Sequence, residues 1–130
     1  MLSDSWSHPI SLATDLSGTK YSIDVAYRSN NELHIVYARG ELGDTVKEER
    51  AVAYVRSLDG GSTWSDSVDI SNISSVQNGA SDTRILVDDN QRLYATWTEW
   101  DASGLGQGIY FTRSLDNGDT WEQPFAISRT

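Results

Sequence analysis

The sequence predicts an all-β chain built from repeated four-stranded antiparallel units. Three observations carry that expectation. The octapeptide Ser-Leu-Asp-x-Gly-x-Thr-Trp occurs twice, starting at Ser57 and at Ser114, an offset of 57 residues. Each copy ends a β-like run, 52–56 in the first and 109–113 in the second, and each is followed by another short run, 68–71 and 125–128. No segment between them carries the 3.6-residue apolar period of a helix, whereas several alternate with period two.

The elements follow in order. Each unit opens on an apolar alternating run, 21–27 in one and 83–87 in the other. Polar turns at 29–31 and 88–91 lead into second strands at 33–37 and 93–97, where Leu33 matches Leu93 and Tyr37 matches Trp97. The offset there is 60 residues against 57 at the octapeptide, so the connection between second and third strands is longer in the first unit, as a surface loop tolerates. The octapeptide itself reads as the turn between third and fourth strands. Its Asp accepts hydrogen bonds from nearby amides, Gly61 and Gly118 supply positive φ, and the Trp anchors the turn.

A third, partial copy stands at the N-terminus, where Trp6, Pro9 and Ile10 lie over Trp121, Pro124 and Phe125. Residues 1–16 are thus expected to hold the outer strand of a preceding unit whose own octapeptide is degraded, with Ser3 in place of Gly and Met1 in place of Asp. Two complete units follow at 17–73 and 74–130. Four-stranded units of this length without helices point to the blades of a β-propeller or a related sheet array. A propeller closes with at least about four blades, so two leave open faces for neighbours.

The octapeptide resembles the Asp box, or BNR repeat, of the sialidase (neuraminidase-like) superfamily of β-propellers, whose consensus is Ser-x-Asp-x-Gly-x-Thr-Trp. Ser57, Asp59, Gly61, Thr63 and Trp64 fill it once, and Ser114, Asp116, Gly118, Thr120 and Trp121 fill it again. The resemblance implies two four-stranded antiparallel blades plus one extra N-terminal outer strand, forming part of a six-bladed sialidase-type propeller. It implies glycan recognition, or glycoside (sialoside) hydrolysis, by the complete propeller, and an extracellular or periplasmic setting. The alternative is a non-catalytic BNR-repeat scaffold or lectin-like binding module. Expected partners are a carbohydrate ligand and the remaining blades, either in the same chain or in a homo-oligomer. Three copies of this chain would supply six blades.

Composition narrows the function classes. The formal net charge is −9, and no basic stripe is available to neutralise phosphates, which argues against nucleic acid and anionic membranes. Zero Cys excludes disulfides and thiol catalysis, and with two His it excludes the usual thiolate-rich zinc sites. No metal or cofactor is expected. No run approaches the ~18 apolar residues of a membrane span, and the N-terminus lacks the pattern of a signal peptide.

Alternating hairpins place the octapeptide turns on one edge of the array and the connections between second and third strands, with those between units, on the other. In sialidases the Asp-box edge lies away from the active site, so Asp59 and Asp116 are expected to be structural. Ligand contacts are then expected from segments 13–20 and 71–82 and from loops 39–50 and 99–107. Sialidases grip the substrate carboxylate with arginines, whose guanidinium forks match it bidentately, and use a Tyr nucleophile paired with a Glu and an Asp acid/base. Arg84 is the leading candidate, since it enters on an innermost strand near the central axis, although Leu86 stands where the family's Arg-Ile-Pro motif has Pro. Arg39, ending a second strand, is another. Glu99 is a candidate acid/base or hydroxyl acceptor, with Trp100 as stacking platform and Asp101 extending the cluster. Asp24 and Tyr21 are inner-strand candidates, Tyr21 as nucleophile if a carboxylate lies beside it. His8 and His34 belong to no catalytic motif.

Overall fold

The computed structural model describes residues 6–12, 20–28, 30–39, 51–73, 79–101 and 105–129. Eight strands run in chain order: β1 Lys20–Arg28, β2 Glu32–Arg39, β3 Ala51–Ser57, β4 Val68–Asp69, β5 Gly79–Val87, β6 Leu93–Trp100, β7 Gly106–Ser114 and β8 Phe125–Arg129. They form two four-stranded antiparallel sheets, β1-β2-β3-β4 and β5-β6-β7-β8, and no helix occurs among the described residues. Strand alternation produces this layering. On β6, Leu93, Ala95, Trp97 and Glu99 are buried while Tyr94, Thr96, Thr98 and Trp100 between them are half-buried.

One core lies between the sheets. Val36, Val52 and Tyr54 of the first meet Ile85, Leu93, Ala95 and Trp97 of the second, with Ile70 and Ile73 from the connecting chain. Each large side chain buried here contributes about 1.5–3 kcal/mol. The Trp97 ring stacks on Tyr110 within its own sheet, with centroids 6.4 Å apart. A smaller core lies on the other face of the first sheet, where Tyr37, Ala53 and Val55 pack with Leu12, Ile35 and Trp64.

Several strands differ from expectation at their ends. The second strand of the second sheet runs on through Trp100, so Glu99 and Trp100 belong to β6 and not to a loop. Residues 6–12 form no strand; a ladder needs a hydrogen-bonding neighbour, and the described residues supply none there. Leu12 nevertheless packs on the first sheet much as Ile70, one repeat later, packs on the second. The degraded octapeptide at 1–3, segment 13–19 and loop 40–50 lie outside the described residues.

The first strands carry matching bulges. Pairing of β1 with β2 shifts between Tyr21 and Asp24, and that of β5 with β6 between Ser81 and Arg84. Ser22 and Asp82 sit at these points with φ 55 each, a left-handed conformation uncommon outside Gly. The bulge lets β1 side chains reach β5: Thr83 N donates to Ser22 Oγ at 2.9 Å, Thr83 Oγ1 donates to the Ser22 carbonyl, and Ile85 N donates to Asp24 Oδ2 at 2.9 Å. The two sheets are stitched along their first strands as well as packed through the core.

Candidate functional site

The octapeptides close the turns between β3 and β4 and between β7 and β8, with one bonding pattern in both. Ser57 Oγ donates to Asp59 Oδ1 at 2.8 Å, Gly61 N donates to Ser57 Oγ at 2.8 Å, and Thr63 donates to Asp59 from N at 2.8 Å and from Oγ1 at 2.6 Å. Ser114, Asp116, Gly118 and Thr120 repeat these four bonds at the same distances. In both turns the Thr side-chain hydrogen bond leads in holding the carboxyl at about 2, and the Thr backbone amide and the Ser hydroxyl add to it. Asp59 and Asp116 are therefore acceptors spent inside their own turns. Two consecutive positive φ values complete each turn, Gly60 and Gly61 at 72 and 97, Asn117 and Gly118 at 62 and 96.

The same edge carries the turns between first and second strands. Gly60 N donates to the Asn31 carbonyl and Asn117 N to the Gln91 carbonyl, both at 2.8 Å. The ends of β2 and β6, holding Arg39, Glu99 and Trp100, lie at the opposite edge with the starts of β1 and β5.

The structure separates the expected site residues. Glu99 is buried on the face of β6 that meets the first sheet and accepts a hydrogen bond from Trp97 Nε1 at 3.1 Å. Burial pushes its carboxyl up, partly offset by that bond and reinforced by the Asp69 charge. Trp100 points to the other face, where its indole lies across Gly79 so closely that a Cβ there would overlap the ring. Glu99 and Trp100 consequently do not share one site, since adjacent strand residues face opposite ways. Asp101 closes its own loop, accepting from Leu105 N at 3.1 Å. Asp24 is engaged by the Ile85 amide. The Tyr21 backbone pairs with Ala38, and its side chain lies outside the described residues.

The two arginines differ in setting. Arg39 is buried at the end of β2, and its Nε has no hydrogen-bond partner. Arg84 is exposed, and its Nη1 donates to the carbonyl of neighbouring Thr83 at 2.8 Å. No carboxylate lies within ion-pair distance of Arg84 among the described residues. One repeat on, Arg84 occupies the place of Asp24, on the face of the second sheet turned away from the first.

Among solved structures, the chain is similar to the Hadza microbial sialidase Hz136, with a TM-score of 0.64 and 21% identity over 83% of this chain. The fold is sialidase-like. This chain spans 26% of that sialidase's length. No protein-family model and no curated protein sequence matches it.

No group of three or more His, Asp or Glu side chains able to hold a metal ion stands together among the described residues. Arg84 and Trp100 lie on one face of the second sheet, but Arg84 pairs opposite Thr96, four residues along β6 from Trp100, so the two are not side by side. Sequence reasoning missed the residues that join the sheets. Arg28, Glu32, Tyr54 and Arg56 meet the second octapeptide turn with His34 bonded behind Glu32 and Tyr54, and the one signal for this was a polar series, Glu32 and His34, alternating with apolar residues on β2.

Proposed function

We propose that these two sheets are blades of an Asp-box propeller of the sialidase-like superfamily, whose complete array recognises a carboxylate-bearing glycan or hydrolyses a sialoside. The observation that carries this reading is the identical bonding of the two octapeptide turns on one edge. Arg84, a guanidinium with no carboxylate partner among the described residues, is a candidate for a ligand carboxylate. The boundaries 17–73 and 74–130 are proposed as blade limits, with residues 1–16 belonging to a preceding blade.

A second reading, a non-catalytic lectin-like module, is favoured by a specific feature. Asp24 and Glu99, two of the expected acidic candidates, are engaged by the Ile85 amide and the Trp97 indole. A retaining glycosidase needs acid, nucleophile and substrate clamp converging at one place, and neither of these two carboxylates is placed beside Arg84 as its acid.

The deciding experiment places these blades in a complete propeller and measures fluorogenic sialoside hydrolysis beside sialoglycan binding. Arg84→Ala is expected to lower turnover about 10²-fold, the usual loss for a charged group at the reacting centre. Binding that depends on Arg84 without any turnover selects the lectin-like reading. Turnover and binding both unchanged in Arg84→Ala would remove this arginine, and the reading built on it.

A further inference from the structure

We propose that the junction between the two sheets is an acid-sensitive clamp in which His34 is the proton switch. The inference is independent of what the array binds. It rests on a cluster at the octapeptide edge that uses every polar atom of a buried imidazole. His34 is 0% exposed. Its Nε2 lies 3.2 Å from Glu32 Oε1 and its Nδ1 lies 2.8 Å from Tyr54 Oη.

The protonation pattern follows from the neighbours. Burial alone would raise the Glu32 carboxyl, but donors from Asn117, Asn30, His34 and Arg28 bring it down to about 2, so it is ionised and only accepts. His34 Nε2 must then carry the proton and donate to Glu32, which leaves Nδ1 bare to accept from the Tyr54 hydroxyl.

The groups facing His34 come from four elements. Arg28 of β1 donates to Glu32 Oε1 at 2.8 Å and also reaches Asn117 Oδ1 and the Asp88 carbonyl. Glu32 of β2 accepts from Asn117 Nδ2 at 3.0 Å. On β3, Tyr54 contacts the Asn117 carbonyl at 3.5 Å, and Arg56 donates to that same carbonyl and to Asp119 Oδ1, both at 2.5 Å. Asn117 and Asp119 belong to the second octapeptide turn. The formal charges of Arg28, Arg56, Glu32 and Asp119 cancel, so the neutral imidazole sits in a balanced cluster.

A proton arriving at Nδ1 upsets both the bonding and the charge. The Tyr54 hydroxyl can no longer donate to His34 and must accept from it, turning its own proton toward the Asn117 carbonyl 3.5 Å away, a longer contact than the 2.8 Å bond it gives up. A third cation then stands beside Arg28 and Arg56 with no added anion. Burial holds the imidazole below its ordinary value of 6.5, and the two arginines add to this against the pull of Glu32. The sign is therefore fixed: stability contributed by neutral His34 is fully present above about 6.5 and is lost as pH falls below it. The second octapeptide turn loosens from the first sheet.

The test is a pH titration of the 130-residue chain by histidine NMR, in parallel with thermal melting from about pH 7.5 to about pH 5. The chain has two His, and the His34 signals are assigned by their loss in His34→Gln. His34 is expected to titrate below 6.5, while the melting midpoint falls by several degrees across that range. His34→Gln is expected to flatten that fall. A His34 midpoint at or above 6.5 would overturn the proposal, as would His34→Gln that still loses the same stability. If His34→Gln does not fold, the wild-type NMR midpoint decides alone.

Discussion

At the scale of single residues, the two octapeptide glycines separate a conformational cost from a packing cost. Gly61 and Gly118 share nearly the same φ, 97 and 96, so any side chain at either position pays about 1–2 kcal/mol for the left-handed backbone. A Cβ on Gly61 would meet only ordinary contacts with Leu33 and Trp64, whereas one on Gly118 would overlap the Tyr54 ring and hydroxyl. Gly61→Ala is therefore expected to cost about 1–2 kcal/mol in urea unfolding, and Gly118→Ala distinctly more, with part of the excess recovered when Tyr54→Ala is added. Equal costs at the two sites would mean that Tyr54 does not press on the second turn. Glu99 allows a test of opposite pH sign to His34. Its folded carboxyl is raised above 4.5, so its contribution is present below that value and lost as pH rises through the raised one. Glu99→Gln keeps an acceptor for Trp97 Nε1 without the buried charge. The substitution is expected to stabilise the chain at neutral pH and leave it unchanged near pH 3.

At the scale of elements, the stitch from β1 to β5 distinguishes a structural Asp24 from a catalytic one. Asp24→Ala leaves the buried-edge Ile85 amide without its acceptor and is expected to cost about 1–3 kcal/mol, while Asp24→Asn retains an acceptor oxygen and stays within about 1 kcal/mol of the parent. In a complete propeller with sialoside turnover, a structural Asp24 predicts that Asp24→Asn remains active. Abolished turnover with unchanged stability would restore Asp24 as a catalytic candidate. Strand order and the octapeptide turns were legible in the sequence because both depend on local pattern: alternation, turn residues and an exact internal repeat. The stitch was not, because Ser22 and Asp24 act through a bulge whose left-handed residue is a Ser, carrying none of the Gly or Asn signal that marks such positions. The separation of Glu99 from Trp100 was hidden for a related reason. Their neighbourhood in sequence suggested one cluster, but continuation of β6 through Trp100 sends adjacent side chains to opposite faces. The His34 cluster draws Arg28, Tyr54, Asn117 and Asp119 from distant positions, and no spacing announces it.

At the scale of the whole molecule, the junction between the sheets doubles as a template for the faces left open. Ile23, Ile35, Tyr37 and Val55 occupy in the first sheet the places that Thr83, Ala95, Trp97 and Thr112 occupy in the second. In the second sheet that face is covered by Val36, Val52 and Tyr54; in the first it borders an apolar groove of about 360 Å³ with Ile10 and Leu12 along one side. The far face of the second sheet is similarly bare, with Leu86 67% exposed against 63% for Ile23 on the first. Apolar side chains exposed together on a sheet face mark a surface suited to packing against a neighbour. Sedimentation velocity on the 130-residue chain is expected to show mass above one chain that grows with concentration, despite the net charge of −9 that opposes association. Ile23→Lys together with Leu86→Lys, both at exposed positions, is expected to restore the single-chain mass without altering the β-sheet spectrum. A sharp trimer would favour closure by three copies, in line with the six blades that the Asp-box resemblance implies. A broad distribution would favour cover by further sheets of a longer polypeptide. A single-chain mass at every concentration, with no effect of the lysines, would contradict the view that these faces are built to be covered by neighbouring sheets.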